Sequence, residues 1–213
     1  FYGDEISYVN GLKYAYQVFI INLKAKLQGL GIFYDRKFDC IKTLEKESYV
    51  LKDSFASPHT KTLDIIKEKS SILYLKCNNG GLGTYLKKKN CHIVGIDKEK
   101  EIEKNELNEY ISFNLNKGLP DIDYKNFDYI IILDVIEHLM DPEKFMHELK
   151  NKINSNTRVK ILISTPNVAF IVLRLMLLIG FFNYGKRGIL DRTHKRLFTF
   201  SSFKNLVEQF GFS

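Results

Sequence analysis

The chain has 213 residues, 45% of them hydrophobic and 27% charged, with a formal net charge of +7. That balance belongs to a globular protein, and the length suits one α/β domain with an appendage. Cysteines 40, 77 and 91 form no Cys-x-x-Cys pair and no zinc pattern, which argues against a disulfide framework and leads us to expect a reduced, cytoplasmic setting; nothing in the first residues resembles a signal peptide.

The charge is unevenly spread. Between Lys150 and Arg196 ten Lys/Arg face a single acid, Asp191. Such a stretch is either a solvated surface or a seat for an anionic partner. Few aromatics alternate with these cations, so no nucleic acid is expected as a partner.

Taken in chain order, Leu12, Tyr16, Phe19, Leu23 and Leu27 recur at helical spacing, with Lys13, Lys24 and Lys26 among them, until Gly29 and Gly31. This predicts a basic amphipathic helix that packs on a neighbour or lies on an anionic membrane surface. Residues 32–56 show no period and read as linker or edge structure. The boundary therefore falls at residue 56, with an appendage over 1–56 and the main domain over 57–213.

Ser57 and Pro58 supply a hydroxyl cap and a first-turn proline, with Leu63, Ile65 and Ile66 on the buried side. Strand 71–76 follows, then a glycine turn, a short helix over 82–89 and strand 92–96 with Asp97 at its tip. This order is the opening half of a nucleotide-cofactor domain, in which backbone N–H groups face a ligand and the acid accepts from a ribose. Residues 98–107 read as a polar helix and 110–113 as a short strand; Gly118, Leu119 and Pro120 break the chain. Residues 127–133 read as a strand buried on both faces. Asp141 and Pro142 open a helix with Phe145, Met146 and Leu149 inward, and 159–163 is a fifth strand. Residues 168–182, apolar except for Arg174, read as a buried helix or a lid, too short for a bilayer span. Ser201 is expected to cap a last helix bearing Phe203, Leu206, Val207 and Phe210, closed by Gly211. Strands alternating with helices predict a doubly wound, mostly parallel α/β sheet.

Five phrases resemble the class I S-adenosylmethionine-dependent methyltransferases: Ile72 to Gly83; Val94 to Asp97; Phe127 to Tyr129 running to Asp134-Val135-Ile136-Glu137-His138-Leu139; Ser164 to Asn167; and Leu190 to His194 running to Thr199. All but the first are similar to a subgroup found beside bacterial glycosyltransferases in surface-glycan synthesis, and residues 1–57 resemble the basic tail of such glycosyltransferases. The resemblance implies a Rossmann-like methyltransferase fold, truncated at its C-terminus before a final antiparallel pair; the start at Phe1, without a methionine, reads as a piece of a longer chain. It implies S-adenosylmethionine as cofactor. Cys77, Asn78 and Gly80 would face its methionine part, Asp97 its ribose, Asn114 and Leu115 its adenine, and Asp134 and Val135 its sulfur.

The acceptor implied is a sugar or glycan intermediate, phosphorylated or lipid-linked in some forms, which Arg192, Lys195 and Arg196 can grip; peripheral membrane contact goes with it. The catalytic candidates are His138 or His194 as base, with Glu137 orienting it or helping to hold a divalent ion; no dedicated metal motif is expected. The chain departs from the family's Asp-x-Gly-x-Gly-x-Gly phrase at Tyr74, Lys76 and Asn78, and Asn114 replaces an aspartate. Each lost charge-assisted contact costs about 1.5–3 kcal/mol. A module that has lost catalysis and serves binding or scaffolding is the alternative.

Overall fold

A computed structural model describes residues 11–29, 35, 57–77, 81–98, 107–153, 158–185 and 188–212. The chain divides into two compact units: Phe1–Thr43 with Phe170–Arg192, and Leu44–Ala169 with Thr193–Ser213.

In the smaller unit, α1 (Gly11–Gly29) forms where the period predicts a helix, yet Leu12, Tyr16, Phe19 and Leu23 are exposed. Helix α5 (Ile171–Leu178) is half the length of the apolar stretch around it. The expectation of a buried helix fails there. Leu173 is buried, while Ile171, Leu175, Leu177 and Leu178 are exposed. Apolar composition without a period fixes no inward face, so it cannot tell a core helix from a surface one. Among the described residues no helix is long and apolar enough to cross a membrane.

The larger unit holds a five-stranded parallel sheet in the order β3-β2-β1-β4-β5: β1 (Ser71–Leu75), β2 (His92–Asp97), β3 (Glu109–Ser112), β4 (Tyr129–Leu133) and β5 (Lys160–Ser164). This is the doubly wound architecture expected. Strand side chains alternate between two apolar layers, as a period of two requires. Leu73, Leu75, Val94, Ile96, Ile130 and Ile132 enter one layer with Phe145, Met146 and Leu149 of α4 (Pro142–Ile153) and Leu206 of α6 (Phe200–Gln209). Ile72, Tyr74, Ile93 and Ile131 enter the other, with Leu82 and Leu86 of α3 (Gly81–Lys88) and Ile66, which ends α2 (Pro58–Ile65). Each fully buried aliphatic side chain contributes about 1.5–3 kcal/mol, so both faces must be covered and β1, β2 and β4 lie inside. Gly95 is required by this packing: a Cβ there would stand 2.5 Å from Leu107 and 2.9 Å from the Cys77 sulfur.

Several boundaries differ from the expectation. Strand β1 ends at Leu75 because Lys76 turns into the left-handed region at φ 55°. Ile65 is half-exposed, whereas Ile66 is buried. Helix α6 is capped by Thr199, not Ser201. The Thr199 hydroxyl accepts from the Ser202 amide and the Ser202 hydroxyl accepts from the Thr199 amide, a reciprocal pair that Ser201 has no partner to make. The helix expected over 98–107 lies mostly outside the described residues.

Candidate functional site

In a doubly wound sheet the ligand crevice opens at the carboxyl ends of the strands, where the strand order reverses. Here the reversal lies between β1 and β4, the strands through which the chain winds outward to β3 on one side and β5 on the other. The residues that leave these strands are Lys76 and Cys77 after β1, and Asp134 and Val135 after β4. Asp97 ends the neighbouring β2.

Asp97 is buried, and its Oδ1 accepts from the Lys98 amide at 2.7 Å. Its carbonyl accepts from the Tyr110 hydroxyl at 3.0 Å and the Phe113 amide at 2.7 Å, which fixes the strand end. Asp134 takes φ 52°, and its Oδ1 accepts from the Ser164 hydroxyl at 3.0 Å. Lys76 reaches from the end of β1 to the end of β4, its Nζ donating to the Asp134 carbonyl at 3.2 Å. Burial holds the Lys76 amine below its ordinary range, while Glu137, Asp97 and Asp134 each pull it back up. Lys76 therefore stands in the field of three acids and of a second cation, Lys98, which adds to the lowering.

Glu137 and His138 lie on a 3-10 turn, Ile136–His138, directly after β4. Glu137 is 1% exposed. Its Oε2 accepts from the Thr165 hydroxyl at 3.1 Å, and its Oε1 has no hydrogen-bond partner among the described residues. Burial, with Asp134 adding to it, pushes its carboxyl up to about 7, against the backbone, Thr165 and Lys76, which pull it down. The segment after Thr193 is pinned over this turn: the amides of Lys195 and Arg196 donate to the Glu137 carbonyl at 2.7 and 3.1 Å. That brings the His194 ring edge-on to His138, centroids 4.8 Å apart. The His138 Nδ1 lies 3.2 Å from the Thr193 carbonyl and 3.1 Å from the Thr193 hydroxyl; donation to the carbonyl is the arrangement that leaves the lone pair on Nε2.

The three catalytic candidates thus come together. Cofactor candidates Asp97, Asp134 and Cys77 share the strand ends; Asn78 and Gly80 lie outside the described residues. Cys77 is buried, and burial beside Asp97 pushes its thiol up to about 12, so it is an inert packing group. Val135 points into the core, leaving its backbone for the crevice. Asn114 is exposed and uses its Oδ1 to cap the turn at Leu115–Lys117; Leu115 packs against the core. Arg196, named as a grip for an acceptor phosphate, pairs here with Glu143. Sequence reasoning missed His59 of α2, whose ring burial pulls below the ordinary histidine range while Asp134 raises it. It also gave no role to Ser164 and Thr165, although both stood in a recognised phrase.

A family profile described as a methyltransferase domain matches residues 49–213. The chain belongs to this methyltransferase-domain family. It is 24% identical over 143 residues to a protein named probable (S)-tetrahydroprotoberberine N-methyltransferase 2 from Papaver bracteatum, a match over 54% of this chain and 39% of the relative. It is 32% identical over 94 residues to the (S)-tetrahydroprotoberberine N-methyltransferase of Eschscholzia californica, over 39% of this chain and 27% of the relative. The match thus spans well under half the length of these relatives. Among solved structures, a SAM-dependent methyltransferase from Archaeoglobus fulgidus superposes with a TM-score of 0.53 at 18% identity, over 72% of this chain and 66% of that one. A Pyrococcus horikoshii protein gives 0.53 at 16%, over 83% and 89%.

The methyltransferase domain implies S-adenosylmethionine. The residues present fit it in charge: Asp97 is a buried acceptor for a diol, and Asp134 adds anionic character suited to a cationic ligand. Lys76 is the exception, a resident cation among those acids.

Proposed function

We propose that the domain transfers a methyl group from S-adenosylmethionine to a hydroxyl of a small sugar or glycan intermediate. The observation that carries the reading is the buried Asp97 carboxylate beside the reversal of strand order, in a chain that matches the family over most of its length. When bound, the cofactor supplies an electrophilic methyl. Asp97 would hold its ribose hydroxyls, and Asp134 would face its cationic end. The lone pair on the His138 Nε2 is suited to take the proton of an acceptor hydroxyl, with the Thr193 carbonyl holding the ring in orientation. His194, against that ring, is the second candidate for the same task. The named relatives are N-methyltransferases, so amines belong in any acceptor screen.

Lys76 favours a second reading, a domain that keeps the fold as a binding module and has lost transfer. The test is release of a radiolabelled methyl from S-adenosylmethionine to nucleotide sugars and to amines, for the wild type, Asp97→Ala and His138→Ala. Labelled sugar that disappears in both variants supports the first reading. Labelled amine alone would replace the acceptor class. No label on either class, with the cofactor bound, would select the binding module.

A further inference from the structure

We propose that Glu137, His138 and His194 form a binding site for one divalent first-row transition-metal ion. One ligand atom from each of the three lies within 4.8 Å of the others. Two independent features assemble them. The turn after β4 presents Glu137 and His138 side by side, and the two backbone donations from Lys195 and Arg196 to the Glu137 carbonyl bring His194 to the same place. The second observation is the Glu137 carboxylate itself. It is 1% exposed, Thr165 engages only Oε2, and Oε1 has no hydrogen-bond partner among the described residues. A buried oxygen left in that state is costly, and a coordinated cation removes the cost. The Thr193 carbonyl and hydroxyl, 3.2 and 3.1 Å from the His138 Nδ1, are the outer-shell support that keeps a ligating imidazole in one tautomer with its lone pair on the other nitrogen.

Two imidazoles and one carboxylate suit zinc, manganese, iron or cobalt better than magnesium or calcium, which favour all-oxygen sets. Donors around one such ion at bonds of about 2.0–2.2 Å stand roughly 3–4 Å apart. The three groups must therefore close by a small amount on binding, and the histidines, only half-buried, have room to do so. Lys76 stands in the same field and supplies a single positive charge to it. It reaches the Asp134 carbonyl, not the imidazoles, so a cation at the three donors does not displace it from its hydrogen bond.

Binding is read on the full chain without S-adenosylmethionine, so failure of metal binding and failure of methyl transfer are separate results. The protein is stripped with a chelator, then titrated with zinc chloride against a competing indicator dye, and with cobalt chloride by visible absorption. One equivalent of zinc is expected, with cobalt bands of a low-coordinate nitrogen and oxygen site. His194→Ala and Glu137→Gln should each weaken zinc binding by at least the roughly 10- to 100-fold that loss of an outer-shell partner costs, and millimolar magnesium should not displace the ion. His92→Ala, at an exposed histidine beside Glu109, should leave the affinity unchanged. Circular dichroism of each metal-free variant verifies folding; should Glu137→Gln unfold, His138→Asn replaces it. No stoichiometric zinc binding by the wild type, or binding that survives both His194→Ala and the second variant, would overturn the proposal.

Discussion

Lys76 concentrates what is particular to this chain. It occupies a left-handed backbone position and places an amine among Asp97, Asp134 and Glu137. A cation there opposes a cationic cofactor, so Lys76→Gly should tighten S-adenosylmethionine binding by roughly tenfold or more in a calorimetric titration. Lys76→Met removes the charge and keeps the backbone demand; an equal gain would assign the effect to charge alone. No gain from either variant would show that Lys76 leaves the site when ligand arrives. Glu137 supports a prediction about acidity. Its folded carboxyl, raised from 4.5 to about 7, binds a proton more tightly than the unfolded chain does. The metal-free protein therefore has this contribution in full below about pH 4.5 and loses it as pH rises through 7, on the order of 3 kcal/mol. Glu137→Gln should flatten that slope in urea unfolding followed across pH; an unchanged slope would place the titration elsewhere. Asp97, Glu137 and His138 were legible because strand ends announce themselves by an apolar run that stops on a polar residue. His59 and Thr165 were not, since nothing in a sequence reports which helix start or strand end folds back upon another.

At the level of elements, the strands were the easiest to read. β1, β2 and β4 are apolar on both faces because helices cover both, and short runs of Ile and Leu say so directly. Helix starts were harder. Ser57 was recognisable through the adjoining proline, whereas Thr199, Ser201 and Ser202 offer three hydroxyls at one helix start. Only the reciprocal bonds between Thr199 and Ser202 decide among them. Thr199→Ala should therefore destabilise the protein by about 0.5–2 kcal/mol, seen as a melting temperature lower by a few degrees, while Ser201→Ala stays near neutral. The reverse ranking would refute the assigned cap. The turn between α2 and β1 gives a test of opposite sign. Lys69 is exposed at φ 58°. Lys69→Gly relieves a left-handed position that costs a lysine about 1–2 kcal/mol, partly offset by the freer unfolded chain, so the melting temperature should rise; a fall would mean that the lysine side chain makes a stabilising contact.

For the molecule as a whole, the parallel sheet follows from alternation of strands and helices, and the family match over residues 49–213 agrees with it. The division of the chain was less legible. The apolar stretch from Ile171 was expected inside the main domain, yet Phe170–Arg192 groups with the N-terminal residues, and α5 leaves most of its aliphatic side chains exposed. Hydrophobic content reports that a segment has something to bury, not which unit it joins. The central claim concerns the other unit: the crevice bounded by Asp97, Asp134 and Glu137 accepts S-adenosylmethionine. Isothermal titration of the full chain with that cofactor is the direct measurement. One saturable site is predicted, weakened about tenfold or more by Asp97→Asn. Absence of binding heat and of any thermal shift at millimolar cofactor, in the wild type and in Lys76→Gly alike, would contradict it.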